Sequence, residues 1–281
     1  MTESIAVGTD GSAAAATALR WAVDDAARRG LSLRIVHVVD HWPHDLLGFP
    51  APERAAHLRR LGETMLAEAA ASAAEQEPEI RLSTELIEGA PPEVLREQAE
   101  TAVELVVGHR GMGGFAGALL GSVPLRVAGH ARGAVVVVRS SAAGPYGEVV
   151  VGVDGSAVCE PALGFAFEQA CLRGCPLHAV YAWRSSPGTV PESHLDLEGV
   201  RRERRGVAAG QLASWRERFP GVGVAEDVVC ASPVPALVAA SARADLLVVG
   251  SRGLDTVGCL ILGSVSRGLL HHARCPVAVV R

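Results

Sequence analysis

The feature that most constrains the fold of this chain is an internal repeat. The stretch that begins at Ile5 reads IAVGTDGSAAAATALRWAVDDAARRG, and the stretch that begins at Val149 reads VVVGVDGSAVCEPALGFAFEQACLRG. Both contain V-G-x-D-G-S, which aligns Asp10 with Asp154, and both close on a glycine. Farther along, ELVVGHRGMGGFAGALLGSV is matched by DLLVVGSRGLDTVGCLILGSV. A duplicated unit is the simplest explanation of these matches.

The length of the chain agrees with two copies of one domain. At about 100–200 residues per domain, 281 residues suffice for two. The segment RSSAAGPYGE between the copies is rich in Ser, Gly, Ala and Pro, a composition typical of a linker. We therefore expect a first domain over residues 1–140, a linker over 141–146 and a second domain over 147–281.

Each half alternates short runs of Val, Ile and Leu with segments of helical periodicity. Helices are expected over 13–29, 53–74, 92–101 and 121–131 in the first half, and over 196–219, 234–242 and 264–273 in the second. Continuous apolar strands that alternate with helices indicate parallel sheets covered on both faces. The predicted fold class is α/β, with two tandem doubly wound domains, each a five-stranded parallel sheet with helices on both faces. Such sheets bind ligands at the carboxyl ends of their strands.

Composition excludes several kinds of chemistry. The 26 basic residues are all Arg, and the absence of Lys excludes P-loop NTPases, pyridoxal enzymes and Schiff-base aldolases. A net charge of −5 disfavours nucleic acid as a partner. The apolar runs are too short for a membrane span and the first residues do not read as a signal peptide, so a cytoplasmic protein without a membrane partner is expected. The six cysteines lack metal-site spacing and are expected to be reduced thiols.

A spaced glycine array is the strongest functional motif. The spacing G-x2-G-x9-G-S occurs once in each half, at Gly108, Gly111, Gly121 and Ser122, and again at Gly250, Gly253, Gly263 and Ser264. Glycines permit positive φ and leave no Cβ, so backbone N–H groups can converge on phosphate oxygens. The Gly-Ser pair would then open a helix and present free N–H groups and a hydroxyl. Turn formation alone is the alternative interpretation.

The aspartate of V-G-x-D-G-S is the second recurring feature. Asp10 and Asp154 each stand where a first strand runs into a helix, a position at which Asp often serves as an N-cap. The functional interpretation is that the carboxylate holds ribose hydroxyls or, through water, a metal on the phosphates. Because the same residue recurs beside both glycine arrays, the functional interpretation is favoured over capping.

These motifs resemble those of tandem universal stress proteins of the ATP-binding type, and the resemblance covers both halves. It implies one ATP per half, with Mg²⁺ at Asp10 and Asp154, the base near Val38 and Ala182, and no catalytic residues. The first ATP site would comprise Gly8, Asp10, Val38, Gly108, His109, Arg110, Gly111, Met112, Gly113, Gly114, Gly121, Ser122 and Val123. The second would comprise Gly152, Asp154, Ala182, Gly250, Ser251, Arg252, Gly253, Leu254, Asp255, Thr256, Gly263, Ser264, Val265 and Ser266. The expected role is nucleotide-dependent regulation of a stress response or of growth arrest.

The second half departs from the family pattern. Asp255 and Thr256 stand where the first half has Gly113 and Gly114, and a carboxylate near the phosphates is expected to weaken ATP binding when Mg²⁺ is scarce. Two alternatives stay open: a slow ATPase or autophosphorylating enzyme, and an interaction module whose second nucleotide site is vestigial. A homodimer of chains and a protein partner of unknown identity are also expected.

Overall fold

The computed structural model describes residues 3–40, 51–113, 119–139, 145–184, 197–253 and 262–281. The chain divides into two compact units, Met1–Ser140 and Ser141–Arg281, here called the first and the second unit. The predicted linker over 141–146 lies mostly outside the described residues.

The first unit alternates strands with helices. Its elements are β1 (Ser4–Gly8), α1 (Ala13–Arg29), β2 (Ser32–Val39), α2 (Ala51–Gln76), β3 (Leu82–Glu88), α3 (Pro91–Thr101), β4 (Glu104–Gly108), α4 (Ser122–His130) and β5 (Ala134–Val138). The strands pair in parallel in the order β3-β2-β1-β4-β5. Every residue of β1, β4 and β5 is buried, which explains why β5 is apolar throughout and why β1 and β4 are apolar after their first residues, Ser4 and Glu104.

The strand order determines on which face each helix lies. The chain moves outward from β1 to β3, returns to β4 beside β1, and then moves outward the other way. Because parallel crossovers are right-handed, this reversal puts α1 and α2 on one face and α3 and α4 on the other. The contacts of α1 with α2, and of α3 with α4, agree with this arrangement. The order reverses between β1 and β4, where a crevice opens beyond the strand ends.

Local sequence signals account for both ends of α1. The side chain of Ser12 is the N-cap, because its Oγ accepts a hydrogen bond of 3.1 Å from the N–H of Ala15. Gly30 ends the helix at φ 65°, a left-handed conformation that favours glycine, and its N–H bonds to the carbonyls of the last turn. The predicted end of the helix at Gly30 is confirmed.

The second unit repeats this organisation. Its elements are β6 (Val149–Val153), α5 (Glu160–Arg173), β7 (Leu177–Trp183), α6 (Leu197–Arg218), β8 (Val224–Cys230), α7 (Pro233–Ala240), β9 (Leu246–Gly250), α8 (Ser264–His272) and β10 (Val277–Val280). The strand order is β8-β7-β6-β9-β10, and the paired strands are parallel. A short 3₁₀ turn, Ala157–Cys159, precedes α5. The aligned residues of the first unit, 13–15, already belong to α1, whereas Pro161 stands just inside the helix that follows the 3₁₀ turn.

The predicted fold class is confirmed. The expected helix bounds differ from those observed by one or two residues, as helix ends commonly do. No helix in the described part of the chain combines the length and the apolar character needed to cross a bilayer.

Candidate functional site

A cavity of about 490 Å³ opens in the first unit at the carboxyl ends of β1 and β4, where the strand order reverses. It is lined by ten residues of the predicted first site, Gly8, Asp10, Val38, Gly108, Arg110, Gly111, Gly113, Gly121, Ser122 and Val123. The wall also contains residues that sequence reasoning missed, Thr9, Ala15, Val36, Pro91, Leu95, Val107, Leu120 and Pro124. Of these, Pro91 and Leu95 lie on α3, which carries no nucleotide motif, so no sequence signal pointed to them.

Two described residues of the predicted set stand apart from this wall. Met112 is 65% exposed, and His109 is buried beside the cavity without lining it. Gly114 lies outside the described residues. Both Met112 and His109 nevertheless make hydrogen bonds that hold the residues of the wall.

Asp10 ties the turn after β1 to the glycine loop after β4. Its Oδ1 accepts a hydrogen bond of 3.0 Å from the N–H of Ser12, and its Oδ2 accepts one of 2.8 Å from the N–H of Met112. Asp10 is therefore not the N-cap of α1, a role that belongs to Ser12. The carboxylate lies on the cavity wall and fixes the two loops that form it.

The glycines of the motif do not adopt the positive φ that phosphate-nest reasoning predicts. Near the two glycine loops, positive φ occurs instead at the glycines that follow the two aspartates, Gly11 at 79° and Gly155 at 82°. The expectation that the motif glycines adopt positive φ is therefore wrong.

Close approach, rather than backbone conformation, explains the first two motif glycines. A Cβ on Gly108 would lie 2.7 Å from the carbonyl carbon of Ala14, so the glycine lets the start of α1 pack on the end of β4. A Cβ on Gly111 would collide with Oδ2 of Asp10. The missing Cβ thus makes room for protein atoms at both positions, and at Gly111 the atom accommodated belongs to the carboxylate on the cavity wall.

The start of α4 presents hydrogen-bond donors to the cavity. Gly121 is the N-cap and has no side chain to bond the first turn, and its own N–H donates to the carbonyl of His109 at 2.8 Å. The N–H groups of Ser122 and Val123, in the first turn, have no intrahelical acceptor. With the Ser122 hydroxyl and the positive end of the helix dipole, they make this end of the cavity suitable for an anion.

Two arginines and a histidine lie beside the glycine loop. Burial and the neighbouring guanidinium groups of Arg139 and Arg110 lower the pKa of His109 below its usual range. The imidazole is therefore neutral at pH 7. Its Nε2 accepts a hydrogen bond of 3.1 Å from Nε of Arg110, a residue of the cavity wall.

The second unit carries a similar arrangement around Asp154. Its Oδ1 accepts hydrogen bonds from the N–H of Ser156 at 2.9 Å and from the hydroxyl of Ser156 at 2.6 Å. A Cβ on Gly253 would lie 2.8 Å from Oδ2 of Asp154, which parallels the contact between Gly111 and Asp10. Gly263 is the N-cap of α8 without a side-chain bond, so Ser264 and Val265 open the helix as their counterparts do in the first unit.

Other predicted residues of the second site have structural partners. The Ser266 hydroxyl is buried and donates to the carbonyl of Gly250 at 2.6 Å, and Ser251 is 5% exposed. Gly152 makes room for Leu237 of α7, since a Cβ there would lie 3.0 Å from that side chain. Ala182 lies near the end of β7. Three further predicted residues, Leu254, Asp255 and Thr256, lie outside the described residues.

Cys159 takes the place that Ala15 has in the first unit. Its thiol donates to the carbonyl of Gly152 at 3.4 Å, and burial, with a smaller contribution from Asp154, raises its pKa to about 12. The residue is thus a protonated, packed thiol rather than a nucleophile.

Neither aspartate belongs to a complete metal site. The described residues contain no group of three or more His, Cys, Asp or Glu side chains that could hold an ion. One carboxylate is still compatible with Mg²⁺, which commonly binds one or two carboxylates together with phosphate oxygens and water.

Comparison with known protein families gives two matches in this chain. The model of the universal stress protein family matches residues 1–139 and again residues 145–281. The chain belongs to the universal stress protein family. The double match is what the internal repeat predicted, so the tandem arrangement is confirmed.

Curated relatives share this tandem length. Universal stress protein Mb2028c from Mycobacterium bovis is 37% identical over 99% of this chain and 96% of its own length. Universal stress protein Rv2623 from Mycobacterium tuberculosis is 34% identical over the same shares. Among solved structures, a universal stress protein from Archaeoglobus fulgidus covers 100% of this chain and 99% of its own, with a TM-score of 0.73 and 21% identity. That likeness concerns the fold.

Proposed function

We propose that this universal stress protein binds ATP, one molecule in each unit, and acts as a nucleotide-dependent regulator of a stress response or of growth arrest. The observation that carries the proposal is the cavity between β1 and β4, which is lined by the start of α4, where no side chain caps the helix. Its volume of about 490 Å³ falls within the roughly 300–1,000 Å³ that is usual for small-molecule sites.

The cavity wall offers both kinds of group that a nucleotide requires. The N–H groups of Ser122 and Val123 and the guanidinium of Arg110 suit the phosphates. The apolar side chains of Val36 and Val38 suit the base.

Asp10 is proposed to contact the ribose or a hydrated Mg²⁺. Both of its oxygens accept backbone N–H groups, and each keeps further acceptor capacity. Mg²⁺ bound here would partly neutralise the phosphates, and phosphate oxygens and water would complete its coordination. Asp154 is proposed to do the same in the second unit.

The proposal extends to the organisation of the chain. Domains over 1–140 and 147–281, a connecting linker, a homodimer and a cytoplasmic location remain proposals. Light scattering tests the dimer: a mass of twice 29.1 kDa at micromolar concentration supports it, and the monomer mass contradicts it.

The function is tested directly by identifying the nucleotide that the purified protein carries and by measuring whether that nucleotide is hydrolysed. We expect mass spectrometry of gently purified protein to detect bound ATP, and a phosphate assay over hours to detect little release. Steady phosphate release would favour the slow ATPase. Failure to bind ATP, in the purified protein and on titration, would contradict the proposal and favour the interaction module.

A further inference from the structure

The loop arginine of the first unit is held by a buried histidine. Nε of Arg110, a residue of the cavity wall, donates to Nε2 of His109 at 3.1 Å. The histidine is itself fixed, because it is 7% exposed and its backbone N–H donates to the carbonyl of Val138 at 2.9 Å. Its carbonyl accepts the N–H of Gly121 at 2.8 Å, which joins it to the start of α4.

Only a neutral imidazole can accept this hydrogen bond from Arg110. An imidazolium has a hydrogen on both ring nitrogens and offers no acceptor to a guanidinium. With Nε2 as the acceptor, the proton of the neutral ring lies on Nδ1, which is buried.

The second unit shows what happens without the histidine. Ser251, Arg252 and Arg281 occupy the positions of His109, Arg110 and Arg139. The Ser251 hydroxyl accepts a hydrogen bond from Nε of Arg281 at 3.2 Å rather than from Arg252. Nε of Arg252 is buried and has no partner in the described ranges.

We propose that His109 is a positioning residue, which orients the Arg110 guanidinium toward the phosphates of a bound nucleotide, and that the second site lacks this device. The inference rests on the proposed function. A guanidinium already fixed in place loses less conformational freedom when a phosphate binds, so fixing it strengthens binding without any contact between histidine and ligand.

The test is a double-mutant cycle with ATP as the probe, measured by calorimetry at pH 7.5. His109→Phe keeps a ring of similar size and removes the acceptor, and we expect binding about tenfold weaker at the first site. His109→Gln retains an acceptor and should stay within about threefold of the wild type. The matched control is His130→Phe, at an exposed histidine in the last turn of α4, which should not change the affinity.

The cycle separates positioning through Arg110 from a structural effect. Arg110→Ala should weaken binding, and adding His109→Phe to it should cause no further loss, because the residue that the histidine orients is gone. If His109→Phe fails to fold, His109→Ser replaces it, since Ser251 shows that the fold accommodates serine at this position. Additive losses, or wild-type affinity in Arg110→Ala, would overturn the positioning role. Absence of ATP binding by the wild-type chain would instead overturn the proposed function.

Discussion

Replacing Gly111 with alanine probes the contact on which the first site depends. The new Cβ would collide with Oδ2 of Asp10. Because a carboxylate can rotate away, the cost is not a backbone clash but the loss of the 2.8 Å hydrogen bond that Oδ2 accepts from Met112. A hydrogen bond to a charged group contributes about 1.5–3 kcal/mol.

The Met112 amide itself reports this loss. Met112 is 65% exposed, so the bond to Asp10 is the main protection that the structure offers its N–H against solvent. A loss of about 2 kcal/mol corresponds to hydrogen exchange about 30-fold faster when exchange occurs through local opening. Nuclear magnetic resonance of the protein in deuterated buffer measures this rate. In Gly111→Ala, ATP binding should also weaken about tenfold, since the ligand must then order the glycine loop after β4.

Two further variants test whether the effect of Gly111→Ala arises from its contact with Asp10. Gly113→Ala is the matched control, because a Cβ there meets nothing within 4 Å, and the exchange of Met112 should stay as in the wild type. In an Asp10→Ala background, Gly111→Ala should have no further effect, since the colliding oxygen is gone. Unchanged exchange of Met112 in Gly111→Ala would refute the argument.

Three other predictions concern packing and ionisation. Gly108→Ala should lower the free energy of unfolding, measured in urea, by about 1–3 kcal/mol, because the new Cβ would lie 2.7 Å from the carbonyl carbon of Ala14. A stability equal to that of the wild type would show that α1 moves away from β4 without cost. Because the pKa of His109 is lowered in the folded protein, the unfolded chain binds more protons than the folded one as the pH falls below about 6.5. The wild type should therefore lose stability in that range, and His109→Gln should lose less. Parallel profiles of stability against pH for the two proteins would contradict this. With a pKa of about 12, the Cys159 thiol should resist iodoacetamide in the folded protein at pH 8, while the exposed Cys171 reacts. Peptide mass spectrometry measures the labelling of each cysteine, and faster labelling of Cys159 than of Cys171 would contradict this prediction.

Sequence patterns were sufficient for the fold because local and tandem signals agree. The repeat predicted two units, continuous apolar runs predicted buried parallel strands, and Gly30 marked the end of α1. The alternation of strands with helices also predicted a ligand site at the carboxyl ends of the strands, where the cavity lies. These features depend on periodicity and turn chemistry, which a sequence displays directly.

What the sequence could not supply were distances between residues far apart in the chain. The spacing of the motif singled out Gly108 and Gly111, but their function was assigned to positive φ and to room for phosphate oxygens. The structure shows close approach to Ala14 and to Asp10 instead of positive φ. The neighbouring D-G-S signature indicated a cap without showing that Ser12 forms it. The bond from Arg110 to His109 depends on side-chain direction, which tertiary packing determines.

The most direct test of ATP binding at this cavity is a crystal structure of the full chain grown with saturating ATP and Mg²⁺. The proposal predicts phosphate oxygens about 2.7–3.2 Å from the N–H groups of Ser122 and Val123. It also predicts the base against Val36 and Val38, with the Arg110 guanidinium still bonded to His109. An empty cavity at saturating ATP, or ATP bound elsewhere in the first unit, would contradict it.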